Sequence, residues 1–316
     1  MPLSNTDLVQ QCDGFPYPER DPAAYLARIN TYYQLRVSGH AYALGYMLPS
    51  VVEIFRGVAH WAIDDEERTL TLTTGSTAAE RSKAVETTLL AMRQLGHFKV
   101  LDQWRNELYA VYGQDKELLF NVERSASPLF GVVTYGVHLT AYTRSKSTGE
   151  IKMWTPRRAQ TKQTYGGMLD NAVAGGIASG ESPLESLVKE CAEEASLAKS
   201  LVRPNVKAAG TVTYYYIRDK SAGGETNLMQ PECQYVYDLE LPEDVVPTPG
   251  DDEVEEFHLW SIEQVQQAMA RGEFKPNCAL VVLDFLVRHG FLTSENEANY
   301  IEIVSRLHRR LEFPTV

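Results

Sequence analysis

Ala174-Gly175-Gly176-Ile177-Ala178-Ser179-Gly180-Glu181-Ser182-Pro183-Leu184-Glu185, continuing Ser186-Leu187-Val188-Lys189-Glu190-Cys191-Ala192-Glu193-Glu194-Ala195-Ser196-Leu197, is the stretch on which the fold turns. Glycines at 175, 176 and 180 permit a tight loop with its backbone groups turned inward. Ser182-x-x-Glu185 reads as a capping box and Pro183 falls at the first helical position, so a helix starts here. Leu184, Leu187, Val188, Cys191 and Ala195 recur at three- and four-residue spacing, an apolar stripe that docks the helix on a core. At 100° per residue, Glu193, Glu190 and Glu194 lie at about 180°, 240° and 280° from Leu184, on one flank beside that stripe.

Like charges so placed repel unless something positive sits among them. A hard divalent cation with oxygen ligands at ~2.0–2.1 Å is the natural occupant; magnesium keeps some waters and bridges to phosphate oxygens. The bland alternative is a solvated acidic helix face. The order of features weighs against it: glycine loop, isolated Glu181, capped helix, Lys189-Glu190, then Glu193-Glu194.

Outside this stretch the chain reads as an ordinary globular protein of 316 residues, 44% hydrophobic and 23% charged, room for two modest domains. A net charge of -12 argues against non-specific binding to nucleic acid or to an anionic membrane. The four cysteines (Cys12, Cys191, Cys233, Cys278) show no metal-ligand spacing and read as buried, reduced thiols. No apolar run reaches the ~20 residues of a membrane span, and the N-terminus shows no leader pattern. Cytoplasm is the expected compartment.

A layered α/β arrangement is expected. Asp21-Pro22 opens a helix over Ala23–Leu35, and Thr77-x-x-Glu80 caps another that stops at Gly96. Strands are expected at 68–73, 107–112 and 117–123, with a domain boundary near residue 127: an α/β unit over 1–127, then 128–316. The second unit should hold strands at 130–142, 150–155 (ending at Pro156), 206–217, 233–240 and 254–260. Three helices follow: one capped by Ser261-x-x-Gln264, one starting at Asn277, and a last one opened by Ser294-x-x-Glu297.

The order around the acidic helix resembles the Nudix box, G-x5-E-x7-R-E-U-x-E-E-x-G-U, where U is a bulky aliphatic. Gly175, Glu181, Glu190, Glu193, Glu194 and Leu197 match in register, while Lys189, Cys191 and Ser196 replace arginine, an aliphatic and glycine. Lys189 should pair with Glu181 only as a point charge, and Ser196 should leave the helix without its usual left-handed end. Leu129–His138, Trp154-x-Pro156-Arg157-Arg158, Lys162-x-Thr164 and Met168–Asn171 are similar to one Nudix subfamily. It is the one resembling the N-terminal half of fungal thiamine pyrophosphokinase, which also carries an N-terminal α/β domain like residues 1–127.

The resemblance implies an α/β/α sandwich with a mixed sheet, a smaller N-terminal α/β domain and C-terminal helices. It implies a pyrophosphohydrolase in which a metal-activated water attacks a diphosphate, with Mg2+ (or Mn2+) as cofactor. Glu190 and Glu194 become direct metal ligands, the Gly175 carbonyl a further one, and Glu193 ligand or general base; Glu253 and Glu255 are outside candidates for the base. Arg157, Arg158 and Lys162 are candidates for phosphate binding, against a reading as exposed cations. Trp154 is either a core residue or a stacking platform. The implied partner is a small diphosphate: thiamine diphosphate or its oxidised forms, cleaved to monophosphate and phosphate. A nucleotide sugar, dinucleotide or oxidised nucleotide is the alternative, and an inactive binding module the other class. An isomerase on the same fold lacks its Cys/Glu pair here. Monomer and homodimer both remain open.

Overall fold

The computed structural model describes residues 2–162 and 164–316. Helix α1 (Asn5–Cys12) opens the chain under a capping box in which Ser4 and Asp7 exchange hydrogen bonds. Helix α2 (Pro22–Ile29) starts where Asp21-Pro22 predicts, with Asp21 accepting from the Ala24 amide. It ends six residues short of the expected Leu35. The residues expected to extend it become strand β1 (Tyr33–Val37), whose burial alternates so that Tyr33, Leu35 and Val37 face inward. Period-two alternation of large apolar residues there overrides the helical start.

Strands β2 (Gly45–Met47), β3 (Trp61–Asp64) and β4 (Thr69–Leu72) join β1 in a sheet ordered β2-β1-β4-β3, with β1 and β4 parallel. The single turn α3 (Pro49–Val52) lies between β2 and β3. Helix α4 (Ala78–Gln94) begins at the Thr77/Glu80 capping box, and its Ala84, Val85, Leu89 and Met92 are buried. Strands β5 (Leu108–Tyr112) and β6 (Leu118–Glu123) form a hairpin, followed by the turn α5 (Ser127–Phe130). One apolar cluster joins β1, β4, α4, β6 and α5, with Trp61 stacked on Phe130.

The six-stranded sheet begins with β7 (Thr134–Arg144), later than the expected 130–142 because Pro128 to Phe130 turn helical first. Strand β8 (Ile151–Arg158) runs through Pro156 instead of stopping there. Beyond Met153 it leaves β7 and pairs with β12 (Val254–Ser261), while Pro156, which has no amide to donate, uses its carbonyl to accept from the Asp170 amide at 3.0 Å. Strand β9 (Val173–Gly176) pairs antiparallel with β7 from Gly136 to Leu139. Strands β10 (Lys207–Ile217) and β11 (Met229–Glu240) complete the order β10-β11-β7-β8-β12, β11 lying parallel to β7.

Alternation along β7 assigns its two faces. Val137, Leu139 and Ala141 pack on helix α6 (Pro183–Ala195), with α7 (Lys199–Asn205) beside it. Tyr142 faces α9 (Pro276–Arg288), whose Cys278, Val281, Val282 and Phe285 are buried, and α8 (Ile262–Ala270) joins that layer. The result is an α/β/α sandwich around a mixed sheet.

The last helix, α10 (Tyr300–Leu307), does not start at Ser294-x-x-Glu297. Those residues close turns instead, with the Glu297 amide on the Thr293 carbonyl. Leu8, Val9 and Cys12 of α1 pack into the α9 layer rather than on the first sheet, so the N-terminal helix stands apart from the rest of residues 1–127. Asp13, fully buried, accepts from Arg309 (3.0 Å), Arg306 (3.2 Å), the Tyr17 hydroxyl (2.5 Å) and the Tyr215 amide (3.2 Å). Arg309 also donates to the Phe15 and Pro16 carbonyls, clasping both ends of the chain against β10. Among the described residues, no helix is long and apolar enough to cross a membrane.

Candidate active site

Helix α6 starts as expected, but only half of the capping box forms. Ser182 accepts from the Glu185 amide, while the Glu185 carboxylate turns away to a bidentate pair with Arg203 of α7 at 2.6 and 2.8 Å. The helix end departs from expectation too. Ser196 takes the left-handed conformation (φ 53°, ψ 26°), and the Leu197 amide reaches back to the Cys191 carbonyl at 3.0 Å. The left-handed close is thus kept without glycine, at a conformational cost of roughly 1–2 kcal/mol. Gly250 sits against this end: a Cβ there would meet the Glu193 carbonyl at 2.1 Å. Lys189 is exposed and forms no ion pair with Glu181, which accepts from the Ser186 hydroxyl instead (2.9 Å).

The stripe of α6 is buried at Leu187, Val188, Cys191 and Ala195, which turns the acidic flank toward β9. Glu190 lies flat over Gly175, where a Cβ would come within 2.6 Å of its carboxyl carbon. Glu194 accepts from the Ala174 amide at 3.0 Å. Both are half-buried and Glu193 is exposed. Burial, then the neighbouring Glu193, pushes the Glu190 carboxyl up to about 7. Burial, then the charge of Asp170, pushes Glu194 well above the usual range, although the Ala174 amide opposes it.

Glu253, at the start of β12, raises both, so it stands close enough to share their field. Lys162 pairs with Glu253 and holds it down against its own burial. Glu255 is exposed. Among the described residues, no three His, Cys, Asp or Glu side chains converge at metal-ligand distances from one point. The donor set nevertheless fits a hard cation: carboxylates whose ionisation is opposed by burial and by neighbouring acids, beside the backbone of Gly175.

The cations singled out in the sequence are engaged within the protein. Arg158 pairs with Asp170 at 2.5 Å and donates to the Tyr165 and Thr164 carbonyls, bracing the loop ahead of β9. Arg157 donates to the Gly167 carbonyl at 2.8 Å. Trp154 is a core residue, its ring nitrogen donating to Thr143 at 3.1 Å.

A cavity of about 250 Å3 opens beside Ala174, Gly175 and Gly176. The cations that line it, Arg105, Arg124, Arg218 and Lys275, were not among the sequence candidates. They lie far apart in sequence, and none belongs to a recognisable spacing. Arg124 pairs with Glu107 at 2.7 Å, packs over the Tyr109 ring, and its charge reaches Glu190. The Tyr109 hydroxyl sits against Gly176, where a Cβ would meet it at 2.0 Å. Asp170 and Asn171 also find their purpose here. The Asn171 side-chain oxygen accepts from Nδ1 of the buried His138 ring at 2.7 Å and its amide nitrogen donates to the Cys278 carbonyl, fixing the cavity floor. Burial pushes His138 down to about 4, so it is neutral at pH 7.

Comparison with known proteins bears on both parts of the chain. Residues 137–278 match the family model described as NUDIX domain, and residues 29–134 match one described as Domain of unknown function (DUF4743). Uncharacterized protein YJR142W of Saccharomyces cerevisiae is 47% identical over 217 residues, 67% of this chain and 63% of that protein. Nudix hydrolase 20, chloroplastic, of Arabidopsis thaliana is 38% identical over 233 residues, covering 73% of this chain and 59% of that protein. Nudix hydrolase 24, chloroplastic, from the same plant is 37% identical over 230 residues, 72% and 59%. The chain thus spans about three fifths of the length of these relatives.

Proposed function

We propose that the NUDIX domain formed by residues 137–278 works here as a metal-dependent diphosphate hydrolase. The observation that carries this reading is the flank of α6. Glu190 and Glu194 lie on the backbone of β9 with their carboxyls pushed upward by burial and by neighbouring acids, at the edge of a cavity lined by Arg105, Arg124, Arg218 and Lys275. Glu190, Glu194 and the Gly175 carbonyl would hold a magnesium ion, with manganese as a substitute and Glu193 as a further ligand. When bound, the ion lowers the pKa of a water and offsets charge on the diphosphate oxygens. Arg124 and Arg105 bind the diphosphate from the side of the first unit, while Arg157, Arg158 and Lys162 hold the loops that frame it. Glu253, or Glu193, takes the proton from the attacking water; the outer phosphate leaves.

For substrate we infer thiamine diphosphate or its oxidised forms, supported by the subfamily resemblance and by a cavity that joins cations with tyrosine rings. The same reading divides the chain near residue 127, the first unit serving as one wall of the site. Four buried free thiols suit a reducing compartment such as cytoplasm. The test is phosphate release from a panel of thiamine diphosphate, its oxidised forms, nucleotide sugars and dinucleotides, in magnesium and in EDTA. Magnesium-dependent release that Glu190→Gln abolishes supports the hydrolase; equal inactivity of both proteins, with ligand still bound, leaves the binding-module reading in its place.

A further inference from the structure

The loop between β9 and α6 is held from outside the NUDIX domain. The Ser179 amide donates to the Leu108 carbonyl at 2.7 Å, and the Ser179 hydroxyl donates to Oδ1 of Asn121 at 2.6 Å. Leu108 lies on β5 and Asn121 on β6, so both strands of one hairpin grip a single loop residue. Gly176 makes room for the same hairpin, since a Cβ there would meet the Tyr109 hydroxyl at 2.0 Å. The hairpin belongs to residues 29–134 and the loop to residues 137–278, the two stretches that match different families.

The hairpin is the fixed partner in this contact. The Asn121 amide donates to the Ser82 hydroxyl at 2.8 Å, and Ser82 donates in turn to the Ala78 carbonyl at 2.6 Å within α4. Phe120 and Val122, on either side of Asn121, are buried in the same apolar cluster as α4. The loop has less of its own. The Ile177 amide donates to the Tyr135 carbonyl, the Glu181 amide closes a turn on Ala178, and nothing lies within 4 Å of a Cβ built at Gly180. Arg124 follows directly on β6. It is aimed by the Glu107 carboxylate at 2.7 Å and by the Tyr109 ring at 5.6 Å, and it lines the cavity beside Gly175 and Gly176. One packed ribbon thus carries both the anchor of the loop and a cation of the cavity.

We propose that Asn121 and Ser179 form a latch that registers the glycine-rich loop of the diphosphate site against Arg124, and that both are positioning residues acting through that arginine. The proposal rests on the diphosphate reading above and gives residues 29–134 a task in it. The physical reason is distance. A charge-assisted bond from a guanidinium to a phosphate oxygen spans ~2.7–2.9 Å, and a loop free to shift by about an ångström loses it.

The probe is imidodiphosphate, an inorganic diphosphate whose bridging nitrogen resists hydrolysis, titrated into the full chain in magnesium by calorimetry. Asn121→Ala and Ser179→Ala should each weaken binding roughly three- to tenfold, the span of one hydrogen bond. Arg124→Ala should weaken it roughly ten- to hundredfold. Asn121→Ala added to Arg124→Ala should change the constant by less than about twofold, because the latch has nothing left to place. Should Asn121→Ala fail to fold, Ser179→Ala breaks the same bond from the loop side and completes the same cycle. Losses that multiply in the double variant make the contact merely structural and overturn the proposal. An unchanged constant in both latch variants overturns it too, as does absence of binding by wild type. Phosphate release from diphosphates is followed in the same proteins. A non-additive cycle without release removes the hydrolase and leaves the latch standing; release with multiplying losses does the reverse.

Discussion

Replacing Glu190 by glutamine should stabilise the metal-free protein at alkaline pH while destroying its activity. Glu190 titrates at 4.5 in an unstructured chain and near 7 in the fold. Between those values the folded protein binds the extra proton. The stability contributed by that protonated carboxyl is therefore complete below about 4.5 and is lost as pH rises through 7. The full interval is worth about 3 kcal/mol at 1.36 kcal/mol per pH unit, of which about 2 kcal/mol falls between pH 5.5 and 8.5. Glutamine keeps the shape and cannot ionise, so groups shared by both proteins cancel in the difference. Urea unfolding in EDTA, at both pH values, reads it directly. The variant should gain on wild type by about 2 kcal/mol over that range, and magnesium at pH 8.5 should shrink or reverse the gap because only wild type keeps the full ligand set. A gap that stays constant within about 0.5 kcal/mol from pH 5.5 to 8.5 would refute the claim that Glu190 is buried beside uncompensated negative charge.

Gly175→Ala should lower magnesium-dependent activity at least tenfold, since the added methyl takes the space of the Glu190 carboxyl; unchanged kinetics would show that Glu190 acts from elsewhere. Ser196→Gly should raise stability by about 1 kcal/mol, because the left-handed φ of 53° no longer strains a side chain; a fall in the urea midpoint would contradict that. Arg124→Ala should raise KM for a diphosphate more than it lowers kcat, and steady-state kinetics on the best substrate of the panel decides. Asp13→Ala should cost about 3–5 kcal/mol, as it leaves Arg309 buried without its partner; a thermal shift of only a degree or two would show that the clasp is dispensable.

The acidic helix was legible because its signals are local. Ser182, Pro183, the Leu187-Val188-Cys191 stripe and the carboxylate flank all lie within about four turns, and a helix expresses such spacing directly. The sandwich around it followed from strands rich in valine and tyrosine. Strand β1 was misread because Asp21-Pro22 is a strong start signal, while the stop at Asn30 depends on pairing with β4, thirty-odd residues away. The capping pattern at Ser294 failed for a local reason, as the hydrogen bonds there close a turn on the Thr293 carbonyl. At the site, the carboxylate flank could be anticipated, but the cavity could not. Arg105, Arg124, Arg218 and Lys275 are widely spaced in the sequence, and only the tertiary fold makes them neighbours.

The clasp at Asp13 gives the molecule an unusual assembly schedule. Asp13 and Arg309 stand 296 positions apart. At roughly 5–20 residues per second, a ribosome releases the second only some 15–60 seconds after the first. Until α9 has been made, Leu8, Val9 and Cys12 of the emerging helix lack the layer on which they bury themselves. Helix α1 therefore settles only late, and its greasy face is the natural client of a chaperone while it waits.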